Sequence, residues 1–97
     1  MLWMLVEAGQ RGDVEVFRFL LKLIRESYLN MVDARGRTIL HLMCMSTKSN
    51  WRCVSLLLNS GKFHGLHVKD CQGWNAYHYA EWYDKRGILK LLWRPAL

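Results

Sequence analysis

The sequence lacks any apolar run of the roughly 18 residues that a membrane-spanning helix requires. Its longest candidate, residues 17–24, is interrupted by Arg18 and Lys22. The apolar start, residues 1–6, is short, has no basic residue before it and runs into Glu7, so it does not resemble a secretory signal. These two absences predict a protein of the cytoplasm or the nucleus with no membrane partner.

Cysteine is scarce and irregularly placed. Cys44, Cys53 and Cys71 are an odd number with no regular spacing, whereas a secreted scaffold of this size would normally carry an even set. We therefore predict reduced thiols in an intracellular protein. A zinc site that combines these thiols with His64 and His67 is the weaker hypothesis, because there is no Cys-x-x-Cys pair and both histidines fall in an apparent loop.

Patterns that would indicate an enzyme are missing as well. The sequence has no Gly-rich phosphate loop, no nucleophile elbow and no carboxylate pair spaced for glycosidase chemistry. His41 follows Thr38 by three residues and His78 follows Asn75 by three, but no third group recurs that would orient a catalytic base. We predict structural histidines, no enzymatic activity, no cofactor and no metal.

What the chain does have is an excess of positive charge. It carries 14 Lys and Arg against 8 Asp and Glu, a net charge of +6 that suits an acidic partner. The basic residues are scattered from Arg11 to Arg94, with no run longer than residues 85–86, which is typical of a solvated surface. A basic nucleic-acid adaptor is therefore the weaker alternative, and salt-dependent binding to random duplex DNA would support it.

The chain also contains an internal repeat. The segment DARGRTILH at 33–41 recurs as DCQGWNAYH at 70–78, with Asp, Gly and His each returning 37 residues later. In each copy Asp-x-x-Gly indicates a tight turn whose glycine takes a positive φ angle. Thr38 or Asn75 then stands at the N-cap of a helix.

Apolar residues at helical spacing follow each turn and predict two helices per unit. The N-terminus shows the same helix pair around Gly12 without a preceding turn. We expect a single all-α domain, residues 1–97, with units at about 1–28, 29–65 and 66–97. The predicted inner residues are Leu5, Ala8, Val16, Phe17, Leu20 and Leu21; Ile39, Leu40, Met43, Cys44, Val54, Leu57 and Leu58; and Ala76, Tyr77, Ala80, Ile88, Leu91 and Leu92.

These residues resemble the ankyrin repeat, a unit of about 33 residues in which a β-turn precedes two helices and a Thr-Pro-Leu-His motif opens the first. TILH at 38–41 matches that motif except for Ile39, and NAYH at 75–78 keeps the capping residue and the histidine. The middle unit is longer, with extra residues near 46–51 and 61–65. The resemblance implies an ankyrin-repeat solenoid of antiparallel helix pairs joined by short turn or hairpin loops.

The resemblance also implies a non-enzymatic module that binds another protein through its turn tips and the concave face of its first helices, in a role that includes regulation or inhibition. On this chain the implied contact residues are Gln10, Arg11, Arg35, Arg37, Met45, Gln72, Trp74, Trp82 and Tyr83, with Ala34, Ser46 and Cys71 beside them. Trp74 would project outward and form an aromatic patch with Trp82 and Tyr83, next to a cationic edge at Arg35 and Arg37. We expect a partner segment with apolar and acidic residues.

Other interpretations concern the tryptophans and the ends of the chain. Trp51 and Trp93 are expected to pack against second helices, and the aromatic patch has the alternative role of covering an open end of the solenoid. Leu2 and Trp3 at one end, and Leu92 and Trp93 at the other, would lie near unpaired faces. They predict self-association, or a structural slice of a longer array with no partner of its own.

Overall fold

A computed structural model describes residues 1–92 of the chain. Within this range the backbone forms seven helices and no β-strand, so the all-α prediction is confirmed. The helices are α1 (Leu2–Arg11), α2 (Val14–Leu23), α3 (Glu26–Leu29), α4 (Ile39–Cys44), α5 (Trp51–Leu58), α6 (Ala76–Trp82) and α7 (Arg86–Leu92). The expected packing of Trp93 falls outside the described residues. None of the seven helices has the length and apolar character needed to span a membrane.

The helices form two layers. In the first layer α1 contacts α4 and α4 contacts α6, and in the second α2 contacts α5 and α5 contacts α7. The pairs α1–α2 and α6–α7 also pack on each other. Helices of one to three turns are marginal in isolation, so each one depends on the apolar faces of its neighbours.

The two turn segments are built alike. The Oδ1 atom of Asp33 accepts hydrogen bonds from the backbone N–H groups two and four residues later, each at 2.9 Å. Asp70 does the same at the same distances. Gly36 and Gly73 take φ angles of 76° and 79°, the left-handed region that favours glycine. The internal repeat predicted from the sequence is confirmed in atomic detail.

Each turn leads into a capped helix. The Thr38 side chain accepts the N–H of His41 at 3.3 Å, and the His41 imidazole accepts the N–H of Thr38 at 3.0 Å. Asn75 and His78 form the same reciprocal pair at 3.0 and 3.1 Å. This capping box satisfies two N–H groups that would otherwise lack a partner at the start of α4 and of α6.

Most of the predicted inner residues are buried. Those confirmed are Leu5, Ala8, Phe17, Leu20, Leu21, Ile39, Leu40, Met43, Cys44, Val54, Leu57, Ala76, Ala80 and Ile88. Leu58, Leu91 and Leu92 are half-buried and pack against this core. The apolar stripes therefore located the core of every repeat.

Three predicted packing positions are wrong. Tyr77 is exposed, because a helix that buries Ala76 next buries the residues three and four positions later; Tyr79 fills that place. Val16 is also exposed, since it lies on the side of α2 turned away from the buried residues. Trp51 is exposed as well, although its ring approaches the backbone of α7 at Gly87.

The longer connections of the middle unit pack on the first repeat. Asn50, at the end of the connection between α4 and α5, is buried and donates hydrogen bonds to the carbonyls of Gly9 and Met43 at 2.8 and 2.9 Å. In the second connection the Nζ of Lys62 donates to two carbonyls at the C-terminal end of α2, at 2.9 Å each. The extra residues thus join neighbouring repeats.

Candidate partner-binding surface

His41 fixes the turn of the third repeat against the helix of the second. Its Nε2 lies 2.9 Å from the carbonyl oxygen of Trp74. Since Nδ1 accepts the N–H of Thr38, the ring proton must sit on Nε2, which therefore donates to that carbonyl. Burial lowers the pKa of His41, in keeping with a neutral ring. This is the structural role that we predicted for His41.

The lowered pKa of His41 predicts that the free energy of unfolding falls as the pH drops below about 6.5. Above that pH the ring is neutral in both the folded and the unfolded chain, whereas below it the unfolded chain binds the proton more readily. Urea denaturation at about pH 7.5 and about pH 5.5 measures the loss. The loss should be smaller in His41→Gln, and an equal loss in both proteins would contradict the assignment.

Asp70 and Tyr79 stabilise the same turn, because the Asp70 carboxylate accepts hydrogen bonds both from the turn and from α6. The Tyr79 hydroxyl donates to Oδ2 of Asp70, and both residues are buried. Burial raises the pKa of Tyr79 to about 12, and the hydrogen bond to Asp70 adds to the shift. Burial alone would raise the pKa of Asp70, but hydrogen bonds from Tyr79 and from the turn N–H groups lower it overall.

An aromatic cluster of Trp74, His78, Tyr79 and Trp82 stands on this turn. The Trp74 ring centroid lies 5.9 Å from that of Trp82, 5.4 Å from Tyr79 and 6.1 Å from His78, distances typical of favourable aromatic pairs. Trp82 is 73% exposed. Tyr83, which follows α6, is also exposed. The predicted proximity of Trp74 and Trp82 is confirmed.

The prediction that Trp74 projects outward is wrong. Its side chain is half-buried and packs against the core, with its ring beside that of Tyr79. Its N–H and carbonyl are both engaged in turn hydrogen bonds, and these bonds fix the backbone. The tip of this turn is Gln72, which is exposed. Trp74 therefore supports Trp82, and Trp82 presents the larger free surface.

A second concave feature, which we call the apolar groove, lies between α1, α4 and the segment 31–37 that leads into α4. It has a volume of about 400 Å³. Its lining residues are Leu2, Trp3, Val6, Gln10, Met31, Val32, Asp33, Arg37, Ile39 and Leu42. Sequence reasoning missed this groove. The signal available in the sequence was the apolar pair Met31–Val32 directly before the Asp33 turn. In the structure Trp3, which also lines the groove, is 72% exposed.

The two arginines of the predicted cationic edge differ in their surroundings. Arg37 Nε donates to Asp33 Oδ2 at 2.8 Å, and this contact raises the pKa of the guanidinium further. Its Nη1 lies 3.6 Å from the Met45 sulfur. Arg37 and Met45 are both half-buried. Arg35 is exposed at the tip. Arg35 is therefore the better candidate to meet an acidic group.

The remaining predicted contact residues lie in different places. Gln10 is half-buried in the groove wall, where its side chain donates to the carbonyl of Leu42 at 3.1 Å and joins α1 to α4. Arg11 is exposed at the end of α1, with its guanidinium 3.8 Å from Glu7. The structure thus assigns Gln10 a structural role that the sequence did not indicate.

The three cysteines are free thiols. Burial raises the pKa of Cys44 to about 12 and that of Cys53 to about 11, so neither supplies a thiolate nucleophile near neutral pH. Across residues 1–92, no three His, Cys, Asp or Glu side chains lie close enough to hold a metal ion. What the described residues do offer is a concave surface with exposed aromatic and apolar side chains.

Comparisons with known proteins agree with this geometry. Residues 5–96 match the sequence family described as ankyrin repeats, in three copies. The fold resembles a chain in the complex of the predatory endopeptidase Bd0816 from Bdellovibrio bacteriovorus with immunity protein Bd3460, with a TM-score of 0.74 and 30% identity over 92% of this chain and 44% of that one. It also resembles a chain in the complex of yeast ribosomal protein Rps3 with its chaperone Yar1, with a TM-score of 0.74 and 22% identity over 90% and 61%. The present chain thus spans less than two thirds of either. No curated protein sequence matches it significantly.

Proposed function

Because the chain belongs to the ankyrin-repeat family, whose members are protein-interaction modules, we propose that it binds a partner protein through its turn tips and first-helix face. The observation that carries this proposal is Trp82, a large aromatic side chain that is 73% exposed on a rigid support. Exposed tryptophans held in place before binding are typical anchors of protein interfaces.

The partner segment that fits this surface combines apolar and acidic side chains. Its apolar residues would enter the apolar groove and contact Trp82. The groove is lined by residues of α1 and α4, and Trp82 belongs to α6, so both features lie on the first helices of their repeats. An acidic residue would meet Arg35, while Arg37 is already paired with Asp33. The net charge of +6 would also speed the approach of an acidic partner, and this effect weakens as salt is added.

We expect Trp82→Ala to weaken partner binding by about 2 kcal/mol, roughly 30-fold, without lowering the thermal midpoint appreciably. The reason is that truncation removes an exposed anchor and leaves the core intact. Affinity capture from a lysate would identify the partner, and calorimetric titration would measure its affinity. Tyr28→Ala, which removes another exposed aromatic from α3, is the matched control and should bind like wild type. Equal binding by all three proteins would rule out Trp82 as an anchor.

We further propose a regulatory or inhibitory role for this binding. The support is the relative at 30% identity, which comes from a complex of an endopeptidase with an immunity protein. Once the partner is captured, its activity is measured with and without the chain, and with Trp82→Ala as the weak binder. Inhibition by wild type alone would support the role, and unchanged activity would contradict it.

We also propose that the protein is located in a reducing compartment, the cytoplasm or the nucleus. The support is that its three cysteines are free thiols.

A further inference from the structure

A row of apolar side chains on α2 remains uncovered. Val16, Phe19 and Leu23 are 40%, 62% and 54% exposed, although all three belong to a helix that packs against α1 and α5. Their spacing of three and four residues places them on one side of the helix. We call this row the α2 stripe. Aromatic and aliphatic side chains grouped in this way on a surface are typical of an interaction site.

Charged residues of opposite sign border the α2 stripe at its two ends. At 100° per residue, Glu15 lies about 70° and Lys22 about 90° from the centre of the stripe, on the same flank. Arg18 lies about 130° away. Its Nη1 is 3.8 Å from Oε1 of Glu15, and because both side chains are exposed, this ion pair contributes little and leaves Glu15 able to meet a second cation. Glu15 is close to the N-terminal end of α2, whereas Lys22 lies in its last turn. The stripe therefore has an acidic end and a basic end.

We propose that a second copy of this chain docks on the α2 stripe, with the two α2 helices antiparallel across a two-fold axis. In that arrangement Phe19 lies near the axis, and Val16 of each copy faces Leu23 of the other. The same rotation brings Glu15 of each copy opposite Lys22 of the other, which forms two equivalent ion pairs. A face that is its own complement is the requirement for an isologous dimer.

The charge pattern is the reason for choosing a second copy over another occupant. An acidic partner segment would meet Glu15 at one end of the stripe, and a basic segment would meet Lys22 at the other. The antiparallel second copy satisfies both ends at once. Three side chains form a small contact compared with the roughly 800 Å² per partner of a standard interface, so the dimer is expected to be weak, in the micromolar range.

Sedimentation equilibrium of the 97-residue chain over a range of concentrations tests this assignment. Wild type should show a concentration-dependent monomer–dimer equilibrium, and Phe19→Glu should weaken it at least about tenfold, because it places two carboxylates at the axis. Lys22→Glu and Glu15→Lys should each weaken the dimer several-fold. The double variant Glu15→Lys/Lys22→Glu should restore it, since the two ion pairs are then only reversed. Circular dichroism checks that each variant remains folded.

Lys69→Glu is the matched control, because it changes the net charge as much as Lys22→Glu does, but Lys69 is exposed in the connection before α6 and does not belong to α2. It should dimerise as wild type does. A monomer at every concentration, or a dimer that survives Phe19→Glu, would overturn the proposal. A double variant as weak as the two single variants would overturn the antiparallel arrangement. None of these results depends on the concave surface, so the proposed partner binding is tested separately.

Discussion

Replacing His41 with alanine is expected to lower the free energy of unfolding by about 3 kcal/mol. The substitution removes the donor to the half-buried Trp74 carbonyl and the acceptor for the buried Thr38 N–H. It also leaves a cavity beside Tyr79, whose ring centroid lies 5.3 Å from that of His41. Urea denaturation followed by circular dichroism measures the change.

His78→Ala is the control for this prediction. His78 forms the same capping contact with Asn75, but it is exposed, and its substitution should cost less than about 1 kcal/mol. The difference between the two variants isolates the contact of His41 with the next repeat from the shared helix cap. Similar losses in both variants would show that the cap matters and that the contact between repeats does not.

Features set by neighbours in sequence were predictable, and the turn and cap show why. Asp33 reaches N–H groups two and four residues away, and Thr38 pairs with His41 three residues away. Every atom in these contacts belongs to one short segment, so the residue types and their spacing determine the result. Because the segment at 70–78 repeats them, the recurring turn and capped helix could be predicted from the residues, whereas the stacking of the units into a solenoid was implied by the resemblance to ankyrin repeats.

The binding surface was harder to predict, because side-chain burial there depends on contacts between repeats. Trp74 occupies a turn position that projects outward when only the local segment is considered. In the folded chain Tyr79 is buried beneath that turn, and the Trp74 ring packs on it. The groove wall likewise unites Trp3 with Leu42, which no local pattern relates.

The Gly12 backbone provides the last test, since it joins the first helix pair to the longer connection of the middle unit. Gly12 has a φ angle of 75°, and a Cβ atom added to it would lie 2.4 Å from the carbonyl oxygen of Ser49. That oxygen belongs to the backbone of the 45–50 connection, so the contact is relieved only by moving backbone, either that connection or the first repeat. Gly12→Ala should therefore lower the free energy of unfolding by about 3 kcal/mol or more, combining a left-handed backbone with overpacking.

Gly73→Ala separates these two causes. Its φ angle is 79°, but an added Cβ would meet nothing within 4 Å. It should cost only the 1–2 kcal/mol, roughly, of a left-handed alanine. Urea denaturation of both variants compares them directly. A larger loss for Gly12→Ala means that the 45–50 connection is held tightly against the first repeat, whereas equal losses would mean that it yields. A larger loss for Gly12→Ala would therefore show that the 45–50 connection stabilises the stack of repeats. The connection would then hold its position beside Gly12 and would not move away from an added side chain.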